Sequence, residues 1–171
     1  MTSHKIRKIA LLGLMIALKV VLERISFGTT LFEVGLGFIG SVILAYLFGP
    51  WWGLVAGGVS DLISSAIFGN AGGFFIGFTL TAMAGPMIYG LVLYRKKPTI
   101  WRIILAIVLV CLIVNLGMNS LWLNMMYKEP WGPLLTIRAT KQLIIAPIQC
   151  VVTYFVLQVL DRIIEAKNLH F

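Results

Sequence analysis

Charge is scarce in this chain. Only 12% of its 171 residues are Asp, Glu, Lys or Arg, roughly half the share of an ordinary soluble domain, so water is not the solvent for most of its surface. Cysteine is limited to Cys111 and Cys150, both inside apolar runs. Neither a metal-ligand spacing nor a secreted disulfide framework can be built from them, and they read as small buried hydrophobes. The two histidines, His4 and His170, stand at opposite ends. Asp61 has no histidine or second carboxylate beside it, so no catalytic set, no metal site and no cofactor are expected. Asp61 reads as a buried hydrogen-bond acceptor. The glycine-rich stretch at 69–73 lacks the Gly-Lys-Ser/Thr ending of a phosphate-binding loop, and no such motif occurs elsewhere. Uphill work by this chain therefore needs a partner or an ion gradient.

What the chain has in abundance is hydrophobic residues, at 60%. A helix needs about 20 apolar residues to cross the hydrocarbon core of a bilayer. Six candidate stretches present themselves: Ile6 to Ile25, Leu31 to Phe48, Trp51 to Phe68, Phe74 to Tyr94, Ile100 to Tyr127 and Leu134 to Ile164. The last contains Pro147, where a kink is expected. Lys5, Arg7 and Lys8 followed by an apolar run look at first like a signal peptide. No small-x-small cleavage site follows, and the run leads into Lys19, Glu23 and Arg24, so a retained first helix is expected. The expected fold class is an all-α integral membrane protein, a single domain over 1–171 with six transmembrane helices.

The formal net charge of +8 raises the question of nucleic acid. The Lys and Arg residues sit in short clusters between apolar runs, without the continuous basic face of a nucleic-acid binder. Cytoplasmic loops of membrane proteins collect such residues. Lys5, Arg7 and Lys8, then Arg95, Lys96, Lys97 and Arg102, then Arg162 and Lys167 all fall on one side of a six-helix arrangement. Both termini are therefore expected in the cytoplasm, and the loops at 26–31, 69–73 and 128–133 outside. Trp51, Trp52, Trp101 and Trp131 fall at the predicted boundaries, as interfacial anchors do.

Polar groups inside a membrane are costly, so each needs a reason. On the sixth helix Arg138, Lys141, Gln142 and Gln149 fall within an arc of about 100° at 100° per residue. On the fifth, Asn115, Asn119 and Trp122 share a face by the same arithmetic. Amides can simply bridge helices and cations can snorkel to the headgroups, but two matched stripes favour a polar cavity opening outward. Arg138 and Lys141 have no carboxylate near them in sequence and suit an anionic ligand; Arg grips a planar carboxylate with two parallel hydrogen bonds. Trp122, Phe27, Phe74, Phe75 and Phe78, near the same end, either pack the core or sandwich a flat ring. Arg24 and Asn70, also toward that end, complete the candidate ligand-binding set. Lys19 and Glu23, four apart, read as an internal ion pair. Ala10, Gly13 and Ala17 form a small-residue stripe on the first helix, open to close packing within the chain or to docking of another protein.

The order and spacing of several segments resemble the substrate-binding S component of energy-coupling factor (ECF) vitamin transporters, in particular the folate branch. The segments are Arg7 with Ala10-Leu-Leu-Gly13-Leu-Met-Ile-Ala17, Gly35-Leu-Gly37-Phe38-Ile39, Leu47-Phe48-Gly49-Pro50, Asp61-Leu62, Phe74 through Ala82, Asn119-Ser-Leu-Trp122, Arg138 to Lys141, and Ala146-Pro147-Ile148-Gln149. The resemblance implies a multi-pass protein of a bacterial plasma membrane that captures a vitamin, folate or a relative or precursor, from outside. It also implies docking, through Ala10, Gly13 and Ala17, on a module of one transmembrane coupling subunit and two ATPases, and a lid formed by residues 26–31. A membrane-embedded enzyme using Asp61 or Glu33 is the alternative from another class, and the absence of a paired base, metal cluster or nucleophile stands against it.

Overall fold

The computed structural model describes residues 2–29, 32–69, 75–128 and 130–167, with side chains throughout except at 2–5, 7, 26–29, 32–34 and 166–167. Among these residues six helices follow one another: α1 (Thr2–Arg24), α2 (Gly37–Phe48), α3 (Pro50–Phe68), α4 (Ile76–Leu93), α5 (Ile100–Tyr127) and α6 (Trp131–Lys167). Length and composition alone make α3, α4, α5 and α6 able to cross a membrane. The 23-residue α1 is long enough, about 35 Å, but carries charge. The 12-residue α2 reaches only about 18 Å, short of the roughly 30 Å hydrocarbon core.

A hairpin stands beside α2. Strand β1 (Ser26–Thr29) pairs antiparallel with β2 (Phe32–Gly35), Ser26 opposite Gly35 and Thr29 opposite Phe32. The expected start of the second helix at Leu31 is thereby corrected to Gly37, and the expected loop at 26–31 is in part a strand. Phe32, Glu33 and Val34 alternate apolar and polar, and Gly35 and Gly37 bracket the run. Glycine disfavours a helix interior by about 1 kcal/mol relative to alanine, and so short an apolar run cannot be assigned by periodicity. The two strands pair the backbone groups that face each other, and the Leu36 N–H donates to the Ile25 carbonyl at 2.9 Å to close the hairpin.

Close approach between helices rests on glycine. Gly49, at φ 88°, joins α2 to α3 in a single residue, and Pro50 occupies the first turn of α3, where its missing N–H costs nothing. The α3–α4 pair is the most extensively packed in the bundle. Pro86 inside α4 has no N–H for the Ala82 carbonyl, and that oxygen sits against Gly57 of α3, where a Cβ would collide with it. One apolar core joins Val42 and Ala45 of α2, Tyr89 and Leu93 of α4, Ile103 and Ile107 of α5, and Leu157 of α6. A second joins Leu44, Phe48 and Ala56 to Leu11, Leu12, Met15 and Ile16 of α1. Outward, Leu143, Ile67, Ile76 and Phe155 are exposed, as lipid-facing side chains are. Trp51 and Trp101 also face out at their helix ends, at 72% and 76% exposure, where the sequence places interfacial anchors.

Candidate ligand-binding site

A cavity of about 230 Å³ lies in the half of the bundle that carries the hairpin, between α1, α2, α4, α5 and α6. Its polar lining comes from Lys19 and Glu23 of α1, Ser41 of α2, Thr81 of α4, Asn115 of α5 and Gln149 of α6. Phe38, Pro86, Tyr89 and Val110 supply apolar wall.

On α1, Lys19 is only 2% exposed. Its Nζ donates to Glu23 Oε1 at 2.7 Å and to Ser60 Oγ of α3 at 2.5 Å. The internal ion pair expected from the spacing is present, and it also lines the cavity. Glycines in α2 leave room for it: a Cβ on Gly40 would lie 2.9 Å from Lys19 Cα, and one on Gly37 would lie 2.6 Å from Glu23 Cγ. Arg24, one residue on, turns the other way. Its guanidinium donates to Ser64 Oγ at 2.7 Å and to the Ser64 carbonyl at 3.2 Å, and lies 4.3 Å from the Phe68 ring centroid. Arg24 thus packs on α3 and does not line the described cavity.

The polar stripes of α5 and α6 meet. Asn115 Nδ2 donates to Gln142 Oε1 at 3.3 Å, and Gln142 Nε2 donates to Cys111 Sγ at 2.7 Å. Cys111 therefore accepts a hydrogen bond besides filling core. Residues Val110–Met118 are wound as a π-helix, a form frequent at functional sites. Its i→i+5 pattern ends with the Asn119 N–H on the Val114 carbonyl, and the next carbonyl, that of Asn115, accepts from the Arg138 guanidinium at 3.0 Å. The π segment also resets the helix face, so the 100° spacing that groups Asn115 with Asn119 and Trp122 does not hold across it. Asn115 lines the cavity, whereas Asn119 is half-buried outside its lining. Lys141 is half-buried with no hydrogen-bond or ion-pair partner among the described residues.

The aromatic end is built on α4 and α5. Phe75 packs edge-on against Trp122, with centroids 5.7 Å apart, and against Phe78 at 5.9 Å. Trp122 Nε1 donates to Thr81 Oγ1 at 3.1 Å, tying the indole to the cavity wall. Gly77 leaves space for both rings, since a Cβ there would meet Phe75 and stand 2.6 Å from Trp122 Cδ2. Phe74 and Asn70 lie outside the described residues, as does the side chain of Phe27 in β1. Asp61 accepts a hydrogen bond from Thr79 Oγ1 at 2.8 Å, the acceptor role expected of it. Ser41, Thr81 and the cavity side of Lys19 and Glu23 were not legible as cavity-lining; the signal available was glycine at 37, 40 and 77 beside them.

The small-residue stripe faces away from all of this. Ala10, Gly13 and Ala17 are exposed, and nothing lies within 4 Å of a Cβ placed on Gly13. The stripe is not spent on packing among the described residues.

A family model described as the ECF transporter substrate-specific component matches residues 7–157. The chain belongs to that family. S components are multi-pass membrane transport proteins, not enzymes. Among curated relatives, the chain is 40% identical over 157 residues to the folate transporter FolT of Leuconostoc mesenteroides subsp. mesenteroides, covering 88% of this chain and 84% of that one. It is 34% identical over 160 residues to the folate transporter FolT of Clostridium novyi (strain NT), covering 93% and 92%. Its fold is similar to a crystal structure of FolT bound with folic acid, with a TM-score of 0.82, 35% identity, and coverage of 89% of this chain and 93% of that one. The S component for biotin from an ECF-type ABC transporter shares the fold at a TM-score of 0.69 and 17% identity, covering 96% and 94%.

Proposed function

We propose that this S component captures folate from outside the cell and presents it to an ECF module of one transmembrane coupling subunit and two ATPases for uptake. The observation that carries the reading is the likeness to folate transporters along nearly the whole chain, at 40% and 34% identity. The site agrees with it in chemistry. Folate joins a flat, hydrogen-bonding ring to a tail with carboxylates; the chain sets a polar cavity and a Phe75–Trp122 aromatic wall near Arg138 and Lys141 on α6. Arg24 is engaged by Ser64 and Phe68, away from the cavity lining.

Binding of folic acid to the purified protein tests the reading directly. A hydrogen bond to a charged group contributes roughly 1.5–3 kcal/mol, so Lys141→Ala or Arg138→Ala is expected to weaken folic acid about tenfold or more. Removing the ligand's glutamate carboxylates should cost wild type a similar factor and the variants little further. Losses that simply multiply would assign both cations to the membrane surface or to helix packing.

The orientation follows from the charge bias: both termini and the 95–102 loop in the cytoplasm, the hairpin outside. A cysteine placed at position 130 should react with a membrane-impermeant reagent added to intact cells, and one at position 97 should not. The opposite pattern would turn the cavity inward and sink external capture.

A further inference from the structure

The cavity is electrically neutral. Among the described residues lining it, the only charged groups are Lys19 and Glu23, which neutralise each other at 2.7 Å, and the remaining polar groups are hydroxyls and amides. At about 230 Å³ it is smaller than the roughly 300–1,000 Å³ that encloses a whole drug-sized ligand. A cavity of that size and charge suits one flat, uncharged polar ring and leaves an anionic tail to lie elsewhere.

Within it, Glu23 is the charged acceptor left open to the cavity. Lys19 is committed in two directions, to Glu23 and to Ser60, and is 2% exposed, whereas the Glu23 side chain is 28% exposed and lines the cavity. The Lys19 bond uses Glu23 Oε1; Oε2 has no partner among the described residues. An ionised carboxylate only accepts, so a ligand group that faces Oε2 from the cavity must bring a donor. The Glu23 position is also fixed from behind, because Gly37 and Gly40 hold α2 against its stem and that of Lys19.

We infer that Glu23, locked by Lys19, is the specificity-determining residue for the ligand's ring: its carboxylate accepts from adjacent N–H donors on one edge of a neutral heterocycle. The inference rests on the folate reading, and folic acid supplies such an edge, a ring N–H beside an exocyclic amino group. Asn115 and Gln149, which can donate and accept, suit the ring's remaining nitrogens and oxygen. The division of labour is then spatial, with the ring read by Glu23 and the carboxylate tail by Arg138 and Lys141.

The test compares folic acid with its analogue lacking the 2-amino group, on wild type and Glu23→Gln, with thermal stability of each protein measured alongside. Wild type should bind the analogue at least tenfold more weakly than folic acid. Glu23→Gln should bind folic acid at least tenfold more weakly than wild type does, and should discriminate little between the two compounds. Pteroic acid, which lacks the glutamate tail, should be as sensitive to Glu23→Gln as folic acid is. The comparison of the two compounds on wild type stands even if the variant folds poorly; equal affinity there overturns the role of Glu23. Independent losses in ligand and variant also overturn it, and leave Glu23 as a partner for Lys19 only. Failure of wild type to bind folic acid at all would instead remove the folate reading itself.

Discussion

The Gly13→Leu substitution is expected to abolish energised uptake while leaving the affinity for folic acid within about twofold of wild type, the scale of a surface change of up to 0.5 kcal/mol. Position 13 points away from the bundle: nothing lies within 4 Å of a Cβ built there, and Ala10 and Ala17 above and below it are exposed too. No side chain of the cavity is near enough in the chain's own packing to feel a leucine. What the leucine would disturb is the approach of a partner helix, which small residues permit at close range. In the ECF arrangement that partner belongs to the coupling subunit. Binding measured on purified protein and uptake measured in cells expressing the complete transporter separate the two effects. A matched loss of binding would place the stripe inside the ligand site's support, and unchanged uptake would remove the docking role.

A second large effect is expected at Gly57, and its neighbour is the control. Gly57→Ala adds a methyl group that collides with the Ala82 carbonyl, a main-chain atom. Gly58→Ala adds one 3.0 Å from Met83 Cγ, part of a flexible side chain. Alanine is favoured over glycine in a helix by about 1 kcal/mol, so Gly58→Ala should be neutral or mildly stabilising. Overpacking typically costs 1–3 kcal/mol where side chains can shift, and main chain shifts less readily, so Gly57→Ala should cost about 3 kcal/mol or more despite its helix propensity. Thermal unfolding in detergent reads the difference. Equal melting temperatures for the two variants would show that α3 and α4 are not held at this distance.

The bounds of α5 were legible from the sequence, because an apolar run from Ile100 to Tyr127 ends at charged and proline-bearing segments on both sides. The start of α2 was not, since residues 32–35 satisfy a strand and a buried helix alike. For the site, the polar stripes of α5 and α6 could be read from helical spacing, that of α5 only up to the π segment, whose different winding no residue pattern announces. The cavity role of Lys19 and Glu23 was hidden for another reason. Their spacing shows the pair, while its surroundings depend on Gly37, Gly40 and Ser60 in other helices, and such contacts are made only in three dimensions. The same holds for Gly57, whose partner is a carbonyl freed by a proline in the next helix.

The burial of Lys19 also bears on how the protein is made. A cation within an inserting helix is costly, and α1 carries both Lys19 and Arg24 toward its C-terminal end. Both find partners on α3, Lys19 at Ser60 and Arg24 at Ser64, and α3 is synthesised after α1. The first helix therefore acquires its lowest-energy seat only once the third has emerged from the ribosome. The segment that carries the small-residue stripe is thus held in place by serines some forty residues downstream.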